Sequence, residues 1–270
     1  MLAEERRQRI LDTLVKDGRI VAKELADQFE LSIDSIRRDL TIMEQQGLLQ
    51  KTYGGAITLP SPPKVRTLAQ PRSIRYSHAA EHQHAISRCA ASLIQPHDTV
   101  FIGGAGIHYG MLSHLPQDFP FTVVTNSLKI AELIRSLSHI ESYLIGGKLR
   151  TNGESMFDTV ALEIVKKFNF DIAFLTGGGI CRDGISTATP EGAAFARAVS
   201  ELSRRTICLA PHEKLGVRMF AKTIPLQQID LLITDQGAPE KIIREIEHLH
   251  VNIMIADEEI PIEGANHESN

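Results

Sequence analysis

The chain of 270 residues has few cysteines, no long apolar run near its start and no excess of basic residues. Its three cysteines are isolated and odd in number, which argues against a disulfide framework and a thiolate zinc site. Buried free thiols are therefore expected at Cys89, Cys181 and Cys208. The charged, then amphipathic N-terminus predicts neither a signal peptide nor a membrane span, so we expect a cytoplasmic protein with no membrane partner. A net charge of -4 excludes a surface that is basic throughout, so any contact with DNA must be local.

The chain does contain enough apolar residues for a core, and its character changes near residue 57. The hydrophobic content is 43%, and the length suits one large domain or two modest ones. Residues 4–53 carry helical periodicity, whereas residues 57–71 hold four prolines and almost no pattern, as a linker would. We predict an N-terminal domain over 1–56, a linker over 57–73, a second domain over 74–258 and a flexible tail over 259–270.

Beyond the linker, short β-branched runs alternate with amphipathic helical stretches. This alternation predicts an α/β domain with a largely parallel sheet. Glycines or polar residues follow several of the runs, and open sheets of this type bind ligands at the carboxyl ends of their strands. The predicted strands lie within 99–103, 121–126, 141–147, 171–179, 205–211, 230–235 and 251–257.

The first of these strands runs directly into three glycines, Gly103, Gly104 and Gly106. Glycines after a strand let the backbone approach a ligand, and free amides at the start of a following helix suit an anion such as phosphate. A tight turn without a ligand would have the same sequence, so the pattern alone leaves both interpretations open.

The N-terminal domain has the layout of a winged helix-turn-helix. Helices are predicted at about 4–16, 21–29 and 33–47, followed by a strand pair within 48–57. Ser32 is a natural N-cap for the third helix. The apolar residues of that helix share one face at the spacing of a core stripe. They are Ile33, Ile36, Leu40 and Met43.

The third helix carries side chains that suit DNA outside this stripe: Arg38 and Thr41 point away from it, and Ser35 and Arg37 flank it. Arg37 and Arg38 offer guanidinium groups for guanine edges or phosphates, and Ser35 offers a hydroxyl. The wing would lie against the DNA backbone, with Gly54 and Gly55 allowing a close approach. The predicted DNA-binding residues are Ser32, Ser35, Arg37, Arg38, Thr41, Lys51, Thr52 and Tyr53. The alternative is that the arginines pair with acidic neighbours on a solvated face. Those neighbours are Asp34, Asp39 and Glu44.

Residues 32–56, SIDSIRRDLTIMEQQGLLQKTYGGA, resemble the N-terminal domain of the DeoR family of bacterial transcriptional regulators. The pattern IRRDL, GLL and GGA is characteristic of that family, and the resemblance continues to about residue 255. It implies a second domain similar to ribose-5-phosphate isomerase, used as a sensor for a phosphorylated sugar or a related metabolite. It further implies a homo-oligomer that binds double-stranded operator DNA, represses genes of carbohydrate metabolism and needs no cofactor.

The resemblance also implies where the effector pocket lies. The residues carried over to it are Gly103, Gly104, Gly106, Thr125, Asn126, Gly146, Gly147, Gly177, Gly178, Gly179 and Lys214. Their chemistry fits this role, because amides and hydroxyls hydrogen-bond phosphate oxygens and an ammonium group balances the charge.

The chain departs from its family at this pocket. The family's turn has an aspartate and then hydroxyl residues after a glycine, whereas no hydroxyl is present in residues 103–108. Pro211, His212 and Glu213 replace the aspartate and serines that precede the lysine, and Glu213 would place a negative charge beside an anionic ligand. Two effector classes therefore stay open. One is a phosphate held by backbone amides, and the other is an unphosphorylated ligand.

Two enzyme hypotheses compete with sensing. His78 to His82 match the H-x-x-E-H spacing of a class of zinc peptidases, but no third ligand is identifiable and we predict no metal. A sugar-phosphate isomerase fused to a DNA-binding domain would use Asp171, Glu191 and Lys214 for proton transfer and charge stabilisation. Residues 174–180, FLTGGGI, lack the acidic groups that such enzymes present after the strand predicted within 171–179, so we predict that the chain is not an enzyme.

The other scattered histidines are expected at the surface or as satisfied core residues. They are His84, His97, His108, His114 and His139.

Overall fold

The computed structural model describes residues 3–46, 48–58, 81–150 and 155–257. In the N-terminal domain, three helices and three short strands follow one another. They are α1 (Ala3–Asp17), β1 (Arg19–Val21), α2 (Ala22–Phe29), α3 (Ile33–Gln45), β2 (Gln50–Thr52) and β3 (Gly55–Ile57). The predicted helices and the strand pair are confirmed. Strand β1 was not predicted, and it pairs with β3 to make an antiparallel sheet in the order β1-β3-β2.

Helix α3 begins where the sequence predicts it. The Ser32 hydroxyl accepts a hydrogen bond from the backbone N–H of Ser35 at 3.2 Å, which satisfies one free amide of the first turn. The core stripe is confirmed except at Ile33, which is 36% exposed because it is the first residue of the helix. The fully buried members are Ile36, Leu40 and Met43.

A buried ion pair connects α1 to α3. Arg6 Nε lies 2.6 Å from Asp39 Oδ2, and the two side chains are only 12% and 5% exposed. Arg7 Nε reaches the other carboxylate oxygen at 4.0 Å. Asp39 therefore faces the inside of the domain, and the alternative that it pairs with Arg37 or Arg38 on a solvated face is wrong.

The second domain is built on one sheet of seven parallel strands. Their order is β13-β12-β10-β7-β4-β5-β6, and every neighbouring pair in the sheet is parallel. The predicted α/β class and all seven predicted strands are confirmed. The strands are β4 (Thr99–Ile102), β5 (Phe121–Thr125), β6 (Ile140–Leu144), β7 (Phe170–Leu175), β10 (Ser203–Leu209), β12 (Leu231–Asp235) and β13 (Ile253–Ala256).

Helices cover the sheet, so that apolar clusters lie on both of its faces. The described helices are α4 (Glu81–Ala91), α5 (Gly106–Met111), α6 (Leu128–Ile134), α7 (Thr159–Val165), α8 (Pro190–Glu201) and α9 (Glu240–Glu247). A second, antiparallel sheet was not predicted. It consists of β8 (Gly179–Cys181), β9 (Gly184–Thr187) and β11 (Ala221–Lys222) in the order β11-β9-β8. None of the described helices is long and apolar enough to cross a membrane.

The strand order creates a switch point between β4 and β7. From β4 the chain moves outward through β5 to β6, and it then returns to the other side of β4 and moves outward through β7, β10, β12 and β13. Connections that leave two neighbouring strands in opposite directions open a crevice beyond their carboxyl ends, where α/β sheets bind ligands. The loops that follow β4 and β7 border this crevice.

The predicted domain boundaries remain predictions. Strand β3 ends at Ile57, one residue inside the predicted linker, and residues 59–80 lie outside the described residues. The predicted tail over 259–270 also lies outside them.

The three cysteines are free as predicted. Cys181 and Cys208 are buried as expected, whereas Cys89 is only partly buried.

Candidate functional site

The exposed face of α3 presents both predicted arginines to solvent. Arg37 lies 3.5 Å from Asp34, and their side chains are 58% and 79% exposed, so this ion pair is weak. The Arg38 side chain is exposed and takes part in no ion pair or hydrogen bond within the described part of the chain. The Ser35 hydroxyl lies 2.9 Å from that of Ser32, so it shares the cap of the helix. Arg38 is therefore the side chain of this face most available to a DNA base.

The wing is attached to α3 by two contacts of Lys51. Its ammonium group donates to the Thr41 hydroxyl at 2.7 Å, and its backbone N–H donates to Glu44 at 2.9 Å. Glu44 consequently stabilises the wing and does not pair with the arginines. Thr52 is exposed, and Tyr53 is fully exposed at the tip of the wing. These contacts hold the wing beside α3.

Packing within the domain explains the glycine at position 55, whereas the sequence analysis explained it by a close approach of DNA. A Cβ atom at this position would lie 1.9 Å from the carbonyl oxygen of Ile20, so only glycine lets β3 pack this closely on β1. Gly54 has no atom within 4 Å of such a Cβ and lies in open space. Packing within the domain thus explains Gly55, and the predicted roles of Gly54 and Gly55 in admitting DNA stay predictions.

In the second domain, the turn after β4 lies against hydroxyl groups from two other segments. A Cβ atom at Gly104 would come within 1.9 Å of the Ser155 hydroxyl oxygen and 3.0 Å of the Ser127 hydroxyl oxygen. Gly103 is buried at the end of β4, and Gly106 begins α5. The turn itself lacks hydroxyls, but the fold places two beside it.

The loop after β5 leaves one buried polar atom without a partner. Asn126 exchanges hydrogen bonds with Met156, through its side-chain amide and its backbone carbonyl, both at 2.9 Å. Its Oδ1 is buried and has no partner among the described residues. The Thr125 hydroxyl is fully buried and accepts from the Ser127 N–H at 3.1 Å, so Thr125 shapes this loop. A bound group with a donor would satisfy Asn126.

The two glycines after β6 differ in their surroundings. Gly146 is open, whereas a Cβ atom at Gly147 would lie 2.7 Å from Asp158 Oδ1. Asp158 accepts hydrogen bonds from the backbone N–H groups of Ala161 and Lys148, which lower the pKa of its carboxyl group. The carboxylate thus fixes the glycine loop and caps α7 at once, a role that the sequence analysis missed.

Two of the three glycines after β7 are required by close packing. A Cβ atom at Gly177 would lie 2.5 Å from Ile185, and one at Gly179 would lie 2.4 Å from the Val217 carbonyl oxygen. Gly179 is buried and belongs to β8, so it does not line an open pocket, and its predicted contact with an effector has no geometric support. Gly178 is exposed.

Lys214 lies at the carboxyl end of the sheet, where it joins the ends of β7 and β10. Its ammonium group donates to the Thr176 hydroxyl at 3.2 Å, and that hydroxyl donates to the Leu209 carbonyl at 2.7 Å.

Burial and the charge of Lys214 lower the pKa of His108 to about 3, although a hydrogen bond to the Gly103 backbone acts to raise it. The buried His108 is therefore neutral, and its Nε2 has no partner in the described structure. The expectation of a satisfied or exposed His108 is wrong.

Glu213 makes contacts with α4. It accepts hydrogen bonds from Gln83 at 2.9 Å and from His82 at 3.2 Å. Burial alone would raise the pKa of Glu213, but these hydrogen bonds outweigh it and lower the pKa to about 2. The carboxylate expected beside the ligand is thus engaged by helix α4. His78 of the peptidase motif lies outside the described residues.

The residues of the isomerase hypothesis do not converge at the switch point. Asp171 lies near the start of β7, where it accepts from the Thr99 N–H at 3.0 Å and pairs with Arg204 at 3.2 Å. Glu191 is exposed in the first turn of α8. Lys214 lies at the opposite end of β7 from Asp171, so the two cannot act on one substrate.

Comparisons with known proteins agree with this architecture. The sequence model described as the DeoR C terminal sensor domain matches residues 78–236, and that described as the DeoR-like helix-turn-helix domain matches residues 6–61. The chain belongs to the DeoR family. As a DeoR family member it is a DNA-binding transcriptional regulator, with a helix-turn-helix domain for DNA and a sensor domain for a small-molecule effector.

Relatives of this DeoR family chain are named as regulators. The HTH-type transcriptional repressor GlcR of Bacillus subtilis is 34% identical over 236 residues, which cover 87% of this chain and 90% of that protein. The lactose phosphotransferase system repressor of Staphylococcus aureus is 27% identical and covers 90% of this chain and 96% of its own length. These matches support a regulator and not an enzyme.

Among solved structures, ribose 5-phosphate isomerase A of Methanocaldococcus jannaschii is similar, with a TM-score of 0.37 and 11% identity. The match covers 50% of this chain and 54% of that chain. A likeness this distant carries no argument about activity.

Proposed function

We propose that this DeoR family protein is a cytoplasmic repressor of carbohydrate metabolism genes that a phosphorylated sugar releases from its operator. The sugar-related names of relatives, among them the lactose phosphotransferase system repressor, support the class of genes. The observation that carries the effector class is the position of Lys214, whose ammonium group lies at the carboxyl end of the sheet, bonded to Thr176 after β7 and close enough to His108 after β4 to lower its pKa. A positive charge there favours an anionic ligand.

The proposed phosphate site combines backbone and side-chain donors from several loops. The backbone around Gly104 is closely approached by the hydroxyls of Ser127 and Ser155, and Lys214 adds the charge. The unpartnered Asn126 Oδ1 would accept a hydrogen bond from a sugar hydroxyl. The remaining proposed contacts are Gly103, Gly106, Gly146, Gly147, Gly177 and Gly178.

The proposed DNA contact uses the exposed face of α3 and the wing. Arg38 would read a base edge in the major groove, while Arg37 and Lys51 would bind phosphates. One winged helix buries too little surface for tight specific binding, so two or more copies would occupy successive major grooves. The effector would favour an arrangement that no longer holds two such domains at operator spacing.

The first experiment measures binding of the purified protein to the DNA upstream of its own gene by fluorescence anisotropy. The complex is titrated with a panel of sugar phosphates, the matching free sugars and polyols. Release by one phosphorylated compound, with no effect of its free sugar, is the expected result. Release by an unphosphorylated compound alone would refute the phosphate site.

Two charge deletions test the proposed DNA contact. Arg38→Ala should weaken binding to the operator by roughly 1–3 kcal/mol and relax specificity at one base pair, because a bidentate contact to a base is lost. Arg9→Ala removes the same charge from the exposed side of α1 and serves as the control. Equal losses for the two variants would mean that Arg38 contributes only general charge.

Two lysine variants test the proposed effector contact. Lys214→Ala should leave DNA affinity unchanged and abolish release by the effector, because the ammonium group at the carboxyl end of the sheet is gone. Lys222→Ala removes an exposed lysine from β11 and should respond as the wild type does. A normal effector response in Lys214→Ala would show that the pocket lies elsewhere.

The proposed oligomer contact is the edge of the sheet at β6. Tyr143 and Leu144 on this strand, Leu149 after it and Val160 on α7 are between 43% and 67% exposed, which leaves an apolar surface that a second copy would cover. Leu144→Glu should yield monomers in light scattering. Ile255→Glu, at the exposed opposite edge strand β13, should keep the wild-type mass. Monomers of both variants, or of neither, would refute this contact.

A further inference from the structure

Four side chains with metal-binding chemistry meet beside the proposed effector pocket. They are His82 on α4, His212 and Glu213 in the turn after β10, and Asp235 at the end of β12. One ligand atom from each lies within 4.8 Å of the corresponding atom of every other. The elements that bring them together are distant in the sequence, so the cluster is a product of the fold.

We propose that His82, His212, Glu213 and Asp235 bind one divalent metal ion of the zinc type. Two imidazole nitrogens and two carboxylate oxygens make a mixed ligand set that Zn²⁺ accepts in four-coordinate sites. With bonds of 2.0–2.2 Å, tetrahedral ligand atoms are separated by about 3.3–3.6 Å. In this structure, Nε2 of His82 lies 3.2 Å from Glu213, and Nδ1 of His212 lies 3.7 Å from Glu213 and 2.6 Å from Asp235. These distances bracket the spacing that tetrahedral coordination requires.

The ligands are already oriented by neighbouring donors, as outer-shell groups orient metal ligands. Gln83 donates to Glu213 at 2.9 Å. The backbone N–H groups of His212 and Gly237 donate to the two oxygens of Asp235 at 2.8 and 3.0 Å. A Cβ atom at Gly237 would lie 2.7 Å from His212 Nδ1, so glycine leaves room for the imidazole to reach the carboxylate.

Exposure and charge also suit entry of a cation. Asp235 is buried at the base of the cluster, whereas the side chains of His212 and Glu213 are 36% and 42% exposed. An ion could therefore enter from solvent between two partly exposed ligands and meet a fixed carboxylate below. Two carboxylates and two neutral imidazoles carry two negative charges, which a divalent ion neutralises.

The bound ion would attach α4 to the ends of β10 and β12. Glu213 directly precedes Lys214 in the same turn, so the ion would also fix the backbone that presents the effector lysine. The site does not depend on the proposed function, because it requires neither DNA nor an effector. Its test therefore measures the metal directly.

The test uses the purified full chain after dialysis against a chelator. Zn²⁺ is titrated against a competing fluorescent chelator, and bound metal is counted by mass spectrometry. We expect one tight Zn²⁺ per chain and, with Co²⁺ as a substitute, the visible absorption of tetrahedral coordination. His82→Gln and His212→Gln should each weaken binding by more than about 100-fold, beyond the range typical of losing an outer-shell partner.

The control is His84→Gln on the same helix, since the His84 ring packs beside that of His114 at a centroid distance of 6.3 Å and is outside the cluster. It should bind Zn²⁺ as the wild type does. Thermal unfolding in chelator verifies that each variant folds, and Zn²⁺ should raise the midpoint for the wild type and His84→Gln only. If His212→Gln does not fold, His82→Gln decides the test. Binding weaker than micromolar in the wild type, or equal affinity in His82→Gln and His84→Gln, would overturn the proposal.

Discussion

The ion pair between Arg6 and Asp39 allows a quantitative test of what positions α3. In the structure, Arg6 Nε lies 2.6 Å from the Asp39 carboxylate. Asp39→Asn keeps the shape of the side chain, and the new amide oxygen can still accept a hydrogen bond from Arg6 Nε. Only the negative charge is lost. Arg6, whose side chain is 12% exposed, then keeps its positive charge in a site that largely excludes water.

The size of the effect follows from this burial. Removing one partner of a buried ion pair typically costs 3–5 kcal/mol, because the remaining charge is left uncompensated. Since the asparagine retains a hydrogen bond, we expect the lower end, about 3 kcal/mol. For a domain of some 60 residues, each kcal/mol lowers the unfolding midpoint by roughly 4–8 °C, so the shift should be about 12 °C or more.

The control is the same substitution at Asp34, on the same helix. The pair of Asp34 and Arg37 is mostly exposed, so Asp34→Asn should cost less than about 1 kcal/mol. Calorimetry of the full chain measures the unfolding of the N-terminal domain, and the temperature at which operator binding is lost provides a second readout. If Asp39→Asn is no less stable than Asp34→Asn, burial of this pair does not hold α1 against α3.

Three further predictions concern single positions. The wild type should lose stability as the pH falls from about 6.5 to 3, because His108 resists protonation in the folded chain but not in the unfolded chain, with a slope of up to about 1.4 kcal/mol per pH unit. His108→Gln should reduce this loss. An unchanged pH profile of the variant in chemical unfolding would refute the prediction. Gly55→Ala should lower the thermal midpoint and weaken DNA binding, since its Cβ would meet the Ile20 carbonyl at 1.9 Å, while Gly54→Ala, with no atom within 4 Å, should not change the midpoint. Tyr53→Ala should leave thermal stability unchanged, because the side chain is fully exposed, and should weaken operator binding in anisotropy if the wing contacts DNA.

The sequence predicts the main sheet well because each of its strands is an apolar run closed by turn residues. Parallel strands covered on both faces need such runs, and this leaves a strong local signal. Strand β1 and the second sheet have no comparable signal, since their strands are two to four residues long. They depend on distant contacts, such as the bond from the Ile185 N–H to the Ile224 carbonyl at 2.9 Å.

The glycines show which part of the candidate site the sequence cannot specify. Gly104, Gly55 and Gly179 are equally plausible from sequence as points where a backbone approaches a ligand. In the structure, Gly55 and Gly179 are explained by carbonyl groups of Ile20 and Val217, whereas Gly104 faces two serine hydroxyls. Only the tertiary neighbours distinguish a glycine needed for packing from one that borders a pocket.

The departures from the family at the pocket acquire a physical meaning once those neighbours are known. Glu213 would weaken an anion site if its charge acted beside Lys214, but hydrogen bonds from Gln83 and His82 hold its carboxylate against α4. The charge of Lys214 still acts on the sheet end, since it contributes to the low pKa of the buried His108. Because a charge in a site of low polarity interacts strongly, an anion there would gain more than at the open surface. Glu213 is therefore compatible with a phosphate at Lys214, because hydrogen bonds from α4 engage its carboxylate.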